Sequence, residues 1–254
     1  MNLESFAPIG MFGVFIAFVV IVVLASRAAA VAQKREDEWL RSAGFVPMHS
    51  AAPGCLGIRS NQIADEKALR AAFGQLSPLN KNSGGYCSRG FFADRGDYIE
   101  YLFTFTYTTG SGKNQQTHTY LAYAVQQAFF FTDLSIGPAD LGDSIVGFFG
   151  VRDIQFESDD FNKRFRINSS EPKFAYDVIH PQMMEFFEGA LTRHWEFSGP
   201  FGACVIRAYS EAPECQQFLR EFMSRVPDYL RQERALPKPE PLVMAQMVLG
   251  PESS

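Results

Sequence analysis

The sequence predicts an α+β protein, with an N-terminal transmembrane helix followed by a soluble domain of antiparallel sheet with packed helices. Three observations predict it. No charged residue lies between Glu4 and Arg27. On both sides of a Gly-rich segment at 108–114, large apolar residues alternate with polar ones, the period of half-buried strands. Near the C-terminus, Phe218, Leu219, Phe222, Met223, Val226, Tyr229 and Leu230 recur at helical spacing.

The first element is the uncharged run. As a helix, Ser5–Ser26 extends about 33 Å, enough for the hydrocarbon core of a bilayer. A cleaved signal peptide is the competing reading, with Ala28–Ala30 offering small residues for cleavage. Such a peptide wants a basic leader, and only Glu4 precedes the apolar run. Arg27, Lys34, Arg35 and Arg41 follow the run, so the positive-inside rule places residues 1–4 outside and the body in the cytoplasm. The expected location is therefore a bacterial inner membrane, crossed once, with the lipid bilayer contacted through residues 5–26. A juxtamembrane helix continues over 27–44 and stops at Gly44, a natural C-cap residue.

Residues 45–150 read as a helix plus an antiparallel β block. Phe45–Pro47 and Leu56–Ile58 are short extended pieces around a Pro/Gly loop. Ala64–Leu76 is a helix, with Ala68, Leu69, Ala72, Phe73 and Leu76 on one stripe, and Ser77–Gly85 is a loop. Strands follow at Tyr86–Ala93, Tyr98–Tyr107, Thr117–Val125 and Ala128–Thr132, and Ile136–Gly150 is a connector. Arg95-Gly96-Asp97 resembles an integrin-recognition tripeptide, but between two strand-like runs its Gly and Asp are ordinary turn chemistry.

Residues 151–235 form a second β/helix block. Asp153–Glu157 and Phe165–Asn168 read as strands around a helical turn at Asp159–Phe165, capped by Ser158 or Asp159. Phe174–Tyr176 reads as extended. A helix starts at Pro181, a favoured first position, and runs to about Thr192, burying Met184, Phe187 and Leu191. Trp195–Phe197 and Ala203–Tyr209 make a hairpin. The last helix, Pro213–Arg234, contains Pro227, which kinks or breaks it. Residues 236–254 form a flexible Pro-rich tail, whose apolar piece Leu242–Leu249 is either a docking peptide or an idle terminus.

The segment Thr108–Asn114, TTGSGKN, invites a phosphate-loop reading that its context refuses. A Walker A loop needs glycine where this chain has Tyr107, and Ser or Thr where it has Asn114. It also needs a helix afterwards, and the following residues alternate like a strand. TTGSGKN therefore reads as a hairpin tip, with Phe103 opposite Leu121 and Tyr101 opposite Tyr123. Lys113, Asn114 and Gln115 at that tip are candidate partner contacts.

No other pattern supplies chemistry. The net charge of -5 argues against nucleic acid. Cys55, Cys87, Cys204 and Cys215 form no C-x-x-C pair, and His49, His118 and His194 are scattered, so no metal, cofactor or catalytic set is expected. The cysteines read as small buried residues or free thiols; a disulfide would need an oxidising compartment. The run Glu157–Asp160 lacks the alternating carboxylates of a calcium loop. His180 precedes a helix with Asp177 nearby, and Cys204 or Ser198 would have to serve as its nucleophile.

Two segments together resemble a known group. YLFTFTYTTGSGKNQQTHTYLAYAV, Tyr101 to Val125, and DIQFESDDFNKRFRINSSEPKFAYDVIHPQMMEFF, Asp153 to Phe187, are similar to uncharacterised bacterial membrane-anchored domains of unknown function. In the second, the matching residues are Phe161, Asn162, Lys163, Arg164, Phe165, Ala175, Pro181, Met183, Met184 and Glu185. The resemblance implies a membrane-tethered α+β domain and transfers no catalytic residue. Phe161 and Phe165 anchor the turn, leaving Lys163 and Arg164 outward as further candidate contacts. The expected function is a cytoplasmic protein-interaction or accessory module of a membrane complex, bound to a protein partner or to a second copy. The alternative is a membrane-surface enzyme of unrecognised class acting through His180, Asp177 or a cysteine.

Overall fold

A computed structural model describes residues 7–48, 66–76, 79, 85–139 and 153–242, with the side chains of the first two helices described from Phe18 and Leu69 onward. The chain divides into two compact units, Met1–Phe45 and Val46–Ser254. Among the described residues, the first is a single 36-residue helix, α1 (Ala7–Ser42), closed by a turn in which Gly44 takes a positive φ of 83°. Among the described residues no helix is long and apolar enough to cross a membrane. That overturns the transmembrane helix expected at 5–26.

Among the described residues, the second unit is one six-stranded antiparallel sheet with helices on both faces. Its elements are β1 (Val46–Pro47), α2 (Glu66–Phe73), β2 (Tyr86–Asp94), β3 (Tyr98–Thr109), β4 (Gln116–Pro138), α3 (Asp159–Arg164), β5 (Phe165–Ser169), α4 (Pro172–Val178), α5 (Pro181–Ala190), β6 (Trp195–Ile206), α6 (Ala212–Arg225) and α7 (Asp228–Glu233). β4 is the spine. β3 and β5 lie end to end along one of its edges and β6 along the other, so strands from both halves of the sequence share one sheet.

The β3–β4 register differs by one residue from the expected one. Phe103 faces Ala122 and Tyr101 faces Ala124, while Leu102 faces Tyr123 and Thr104 faces Leu121. Matching bulky residues on one face assumed a sheet with a single buried face. Here both faces are covered: Tyr101, Phe103 and Phe105 lie with Leu69 and Phe73 of α2, and Tyr123 lies against Trp195, which stacks on Phe218 of α6. Large groups on β3 then meet alanines on β4, which interlocks the layer without overfilling it.

Several other expectations are corrected. The strands read at Thr117–Val125 and Ala128–Thr132 are one strand, β4, bent by two register shifts against β6 between Gln126 and Leu134. The hairpin read at 195–209 is likewise one strand, because Gly199 with φ 57° lets β6 follow that bend. Phe174–Tyr176 belongs to α4, and Asp153–Glu157 is not a strand. In α5 the buried residues are Met183 and Phe187, and Met184 is half-buried. Pro227 breaks the last helix outright, and the restarted α7 turns Tyr229 to solvent. The segment read as a tail begins tied down: Leu236 N–H donates to the Ala128 carbonyl and Leu242 N–H to the Tyr101 hydroxyl, both at 2.9 Å. Leu56–Ile58, Cys55 and the rest of the apolar piece, 243–249, lie outside the described residues.

Burial of phenols gives this unit an alkaline limit. Burial pushes Tyr101 up to about 12, and burial with the Tyr120 hydroxyl bond does the same to Tyr107. Tyr123 is raised by burial and then by the carboxylate of Glu100. In the unfolded chain these phenols titrate near 10. The stability they confer is complete below pH 10 and is lost as pH rises from about 10 through 12. A melting series over that window, with absorbance at 295 nm following ionisation, is expected to show unfolding coincident with tyrosinate formation. Phenols titrating near 10 with the fold intact would contradict it.

Candidate interaction surface

The β3–β4 hairpin outruns its neighbours. β2 begins pairing at Thr106 and β6 stops at Leu121, so Tyr107–Thr109 and Gln116–Tyr120 form a ribbon flanked by no other described strand. Local contacts stiffen it. The Tyr107 ring stacks on His118 at 5.0 Å and on Tyr120 at 5.9 Å. Hydroxyls of Thr106 and Thr119 meet at 3.3 Å, and Thr109 Oγ1 meets His118 Nε2 at 3.0 Å. At the tip, Gly110 with φ 76° leads into a 3-10 turn, Gly112–Asn114. A Cβ on Gly110 would lie 2.3 Å from the Asn114 carbonyl oxygen, so the turn requires glycine there. Lys113, Asn114 and Gln115 stand together, exposed, on that turn. A strand, not a helix, follows them, which removes the helix N-terminus a phosphate loop uses.

Lys163 and Arg164 sit elsewhere, at the end of α3. Ser158 caps that helix by accepting from Phe161 N–H at 3.2 Å. Both cations are engaged locally: Lys163 pairs with Asp160 at 3.2 Å, and Arg164 with Glu188 of α5 at 3.4 Å while lying over the Phe165 ring. Arg164 fastens α3 to α5, Lys163 pairs within α3, and both belong to a different surface element from the hairpin tip.

The structure also disperses the residues of the enzymatic alternative. His180 Nε2 donates to the Arg225 carbonyl at 2.9 Å, closing the end of α6. Asp177 hydrogen-bonds Tyr229. Ser198 donates to Asp133 at 2.6 Å, and Cys204 lies beside Cys215. Each is tied to a separate partner.

A cavity of about 380 Å³, missed in the sequence, opens between the start of β6 and the turn before α6. Its polar wall is Arg193, His194, Glu196 and Glu211. Arg193 donates to Glu211 at 2.6 Å and to Glu214 at 3.0 Å. Burial opposes the charge of Glu211, but the Arg193 bond and the Arg207 N–H outweigh it and hold the carboxyl below its ordinary value. His194 Nε2 reaches both Ser135 Oγ, at 3.2 Å, and Glu196 Oε1, at 3.3 Å. A nucleophile–base relay uses opposite ring nitrogens for hydroxyl and carboxylate; here one nitrogen serves both. This cluster buttresses β4 against β6. The sequence signal was polar residues flanking Trp195, too common a pattern to single out.

In the first unit, Phe18–Leu24 are seven consecutive apolar residues, each between 42% and 63% exposed. Seven residues make about two helical turns, so the apolar surface surrounds the helix instead of forming a seam.

No family model matches the chain, and no curated protein matches it. Among solved structures, it is similar to the crystal structure of the mycobacterial trehalose monomycolate transport factor A. The identity is 12% and the TM-score 0.47, over 82% of this chain and 97% of that one.

Proposed function

We propose that the protein is an accessory module of a membrane-associated assembly, binding a protein partner through α1 and presenting the β3–β4 arm as a second contact. The observation that carries this reading is the exposed apolar surface of Phe18–Leu24. Water penalises contiguous apolar area of that kind, and such surfaces mark sites of protein or membrane contact. The arm supplies a rigid polar tip, with the exposed side chains of Lys113, Asn114 and Gln115 as donors.

A photoreactive amino acid at Val22, introduced in cells, is expected to yield one dominant protein adduct, while the same probe at exposed Gln217 yields none. Recovery of the uncrosslinked chain alone from native membranes, or labelling of lipid only, would overturn the reading. Replacing Lys113, Asn114 and Gln115 together with Ala should weaken capture of that partner about tenfold, equivalent to about 1.4 kcal/mol, with no change in melting.

A further inference from the structure

Cys204 lies on β6, opposite Tyr123 of β4, and Cys215 lies in the first turn of α6. Both are buried free thiols, and their sulfurs stand 3.7 Å apart. A disulfide needs about 2.05 Å, so a closure of about 1.7 Å separates the pair from a bond. Each sulfur-bearing residue lines a different opening. Cys204 borders the 380 Å³ cavity and Cys215 a neighbouring one of about 250 Å³, and Arg193 lines both. Cys87, the other described cysteine, belongs to the separate cluster beneath α2.

We propose that Cys204 and Cys215 are a modification site, a dithiol that a small hydroperoxide entering these cavities oxidises to a disulfide joining β6 to α6. The Cys204 thiol loses its proton and its sulfur attacks the peroxide, forming a sulfenic acid and releasing water once that proton is returned. The Cys215 sulfur then attacks the sulfenic sulfur, its own proton leaving with the hydroxyl as a second water. Two thiols are oxidised by two electrons in all, and one hydrogen peroxide is reduced to two waters. Burial pushes the Cys204 thiol up and the Arg193 charge opposes it, which makes the pair slower than a surface thiol and guards it from bulky oxidants.

The test uses the full native chain. It is treated with hydrogen peroxide, quenched, unfolded, alkylated and mapped by mass spectrometry. The expected result is a Cys204–Cys215 cross-linked peptide, with Cys55 and Cys87 alkylated as in untreated protein. The oxidised chain should melt about 5 °C higher, because the bridge restricts the unfolded state, and dithiothreitol should reverse the shift. In Cys215→Ser, a sulfenic acid at Cys204 should be trapped by dimedone. Full alkylation of both residues, at peroxide exposures that oxidise a small-molecule thiol in the same tube, would overturn the proposal. So would cross-linking confined to Cys55 or Cys87.

Discussion

Glu100→Ala is expected to destabilise the body by about 3–5 kcal/mol, the range for removing one partner from a buried charged network. Glu100 is wholly buried on β3 and accepts from three directions. Arg95 Nε donates at 2.8 Å, the Tyr123 hydroxyl at 2.8 Å and Gln216 Nε2 at 2.7 Å. Deleting the carboxylate leaves the buried Tyr123 hydroxyl and the Gln216 amide without their acceptor. A buried donor without a partner costs about 1–3 kcal/mol, and two such donors exceed anything gained by sparing the carboxylate its desolvation. The network also spans three elements, because Gln216 brings α6 onto the sheet and Arg95 brings the β2–β3 turn. Glu100→Gln keeps the shape but turns a donor toward donors, and should lose about half as much. Urea unfolding measures both; a loss under about 1 kcal/mol for the alanine variant would mean that water replaces the carboxylate.

Phe222→Ala is expected to cost about 3–5 kcal/mol, the range for emptying an aromatic site in a packed core. Phe222 is fully buried in α6. Its ring stacks on Phe197 at 5.3 Å and lies 6.2 Å from Phe131 and 6.1 Å from Phe187. These neighbours come from β6, β4 and α5, and they are held by the sheet on one side and by α5 on the other. They cannot collapse into the space left behind, so the cavity term adds to the lost burial. Melting should fall by about 10 °C, at 2–4 °C per kcal/mol for a chain this size. Phe222→Leu, which refills most of the volume, should recover more than half. A melting shift under about 3 °C for the alanine variant would show that α6 settles inward.

The two expectations differ in how far the sequence disclosed them. Phe222 was legible because a helix repeats every 3.6 residues, so its apolar stripe marks the buried face before any partner is known. Glu100 was not. A lone glutamate in an alternating strand looks solvent-facing, and only a sheet covered on both sides reverses that. The candidate contacts divide the same way. The tip at Lys113–Gln115 followed from failed phosphate-loop spacing and period-two flanks, which are local properties. The tie that holds Arg164 to Glu188, and the polar wall at Arg193 and His194, join residues distant in sequence.

By itself, the sequence determined the α+β character of the body, the hairpin at TTGSGKN, a helix cap at Ser158 or Asp159 and a kink or break at Pro227. Each rests on backbone geometry acting within a few residues: period, turn residue, cap or missing N–H. Tertiary structure decided the one-residue register of β3 on β4, the fusion of predicted pairs of strands into β4 and β6, and the meeting of Cys204 with Cys215. Those outcomes depend on which surfaces cover which. A strand reads the same whether one face or both are buried, and the second layer of helices settles the difference.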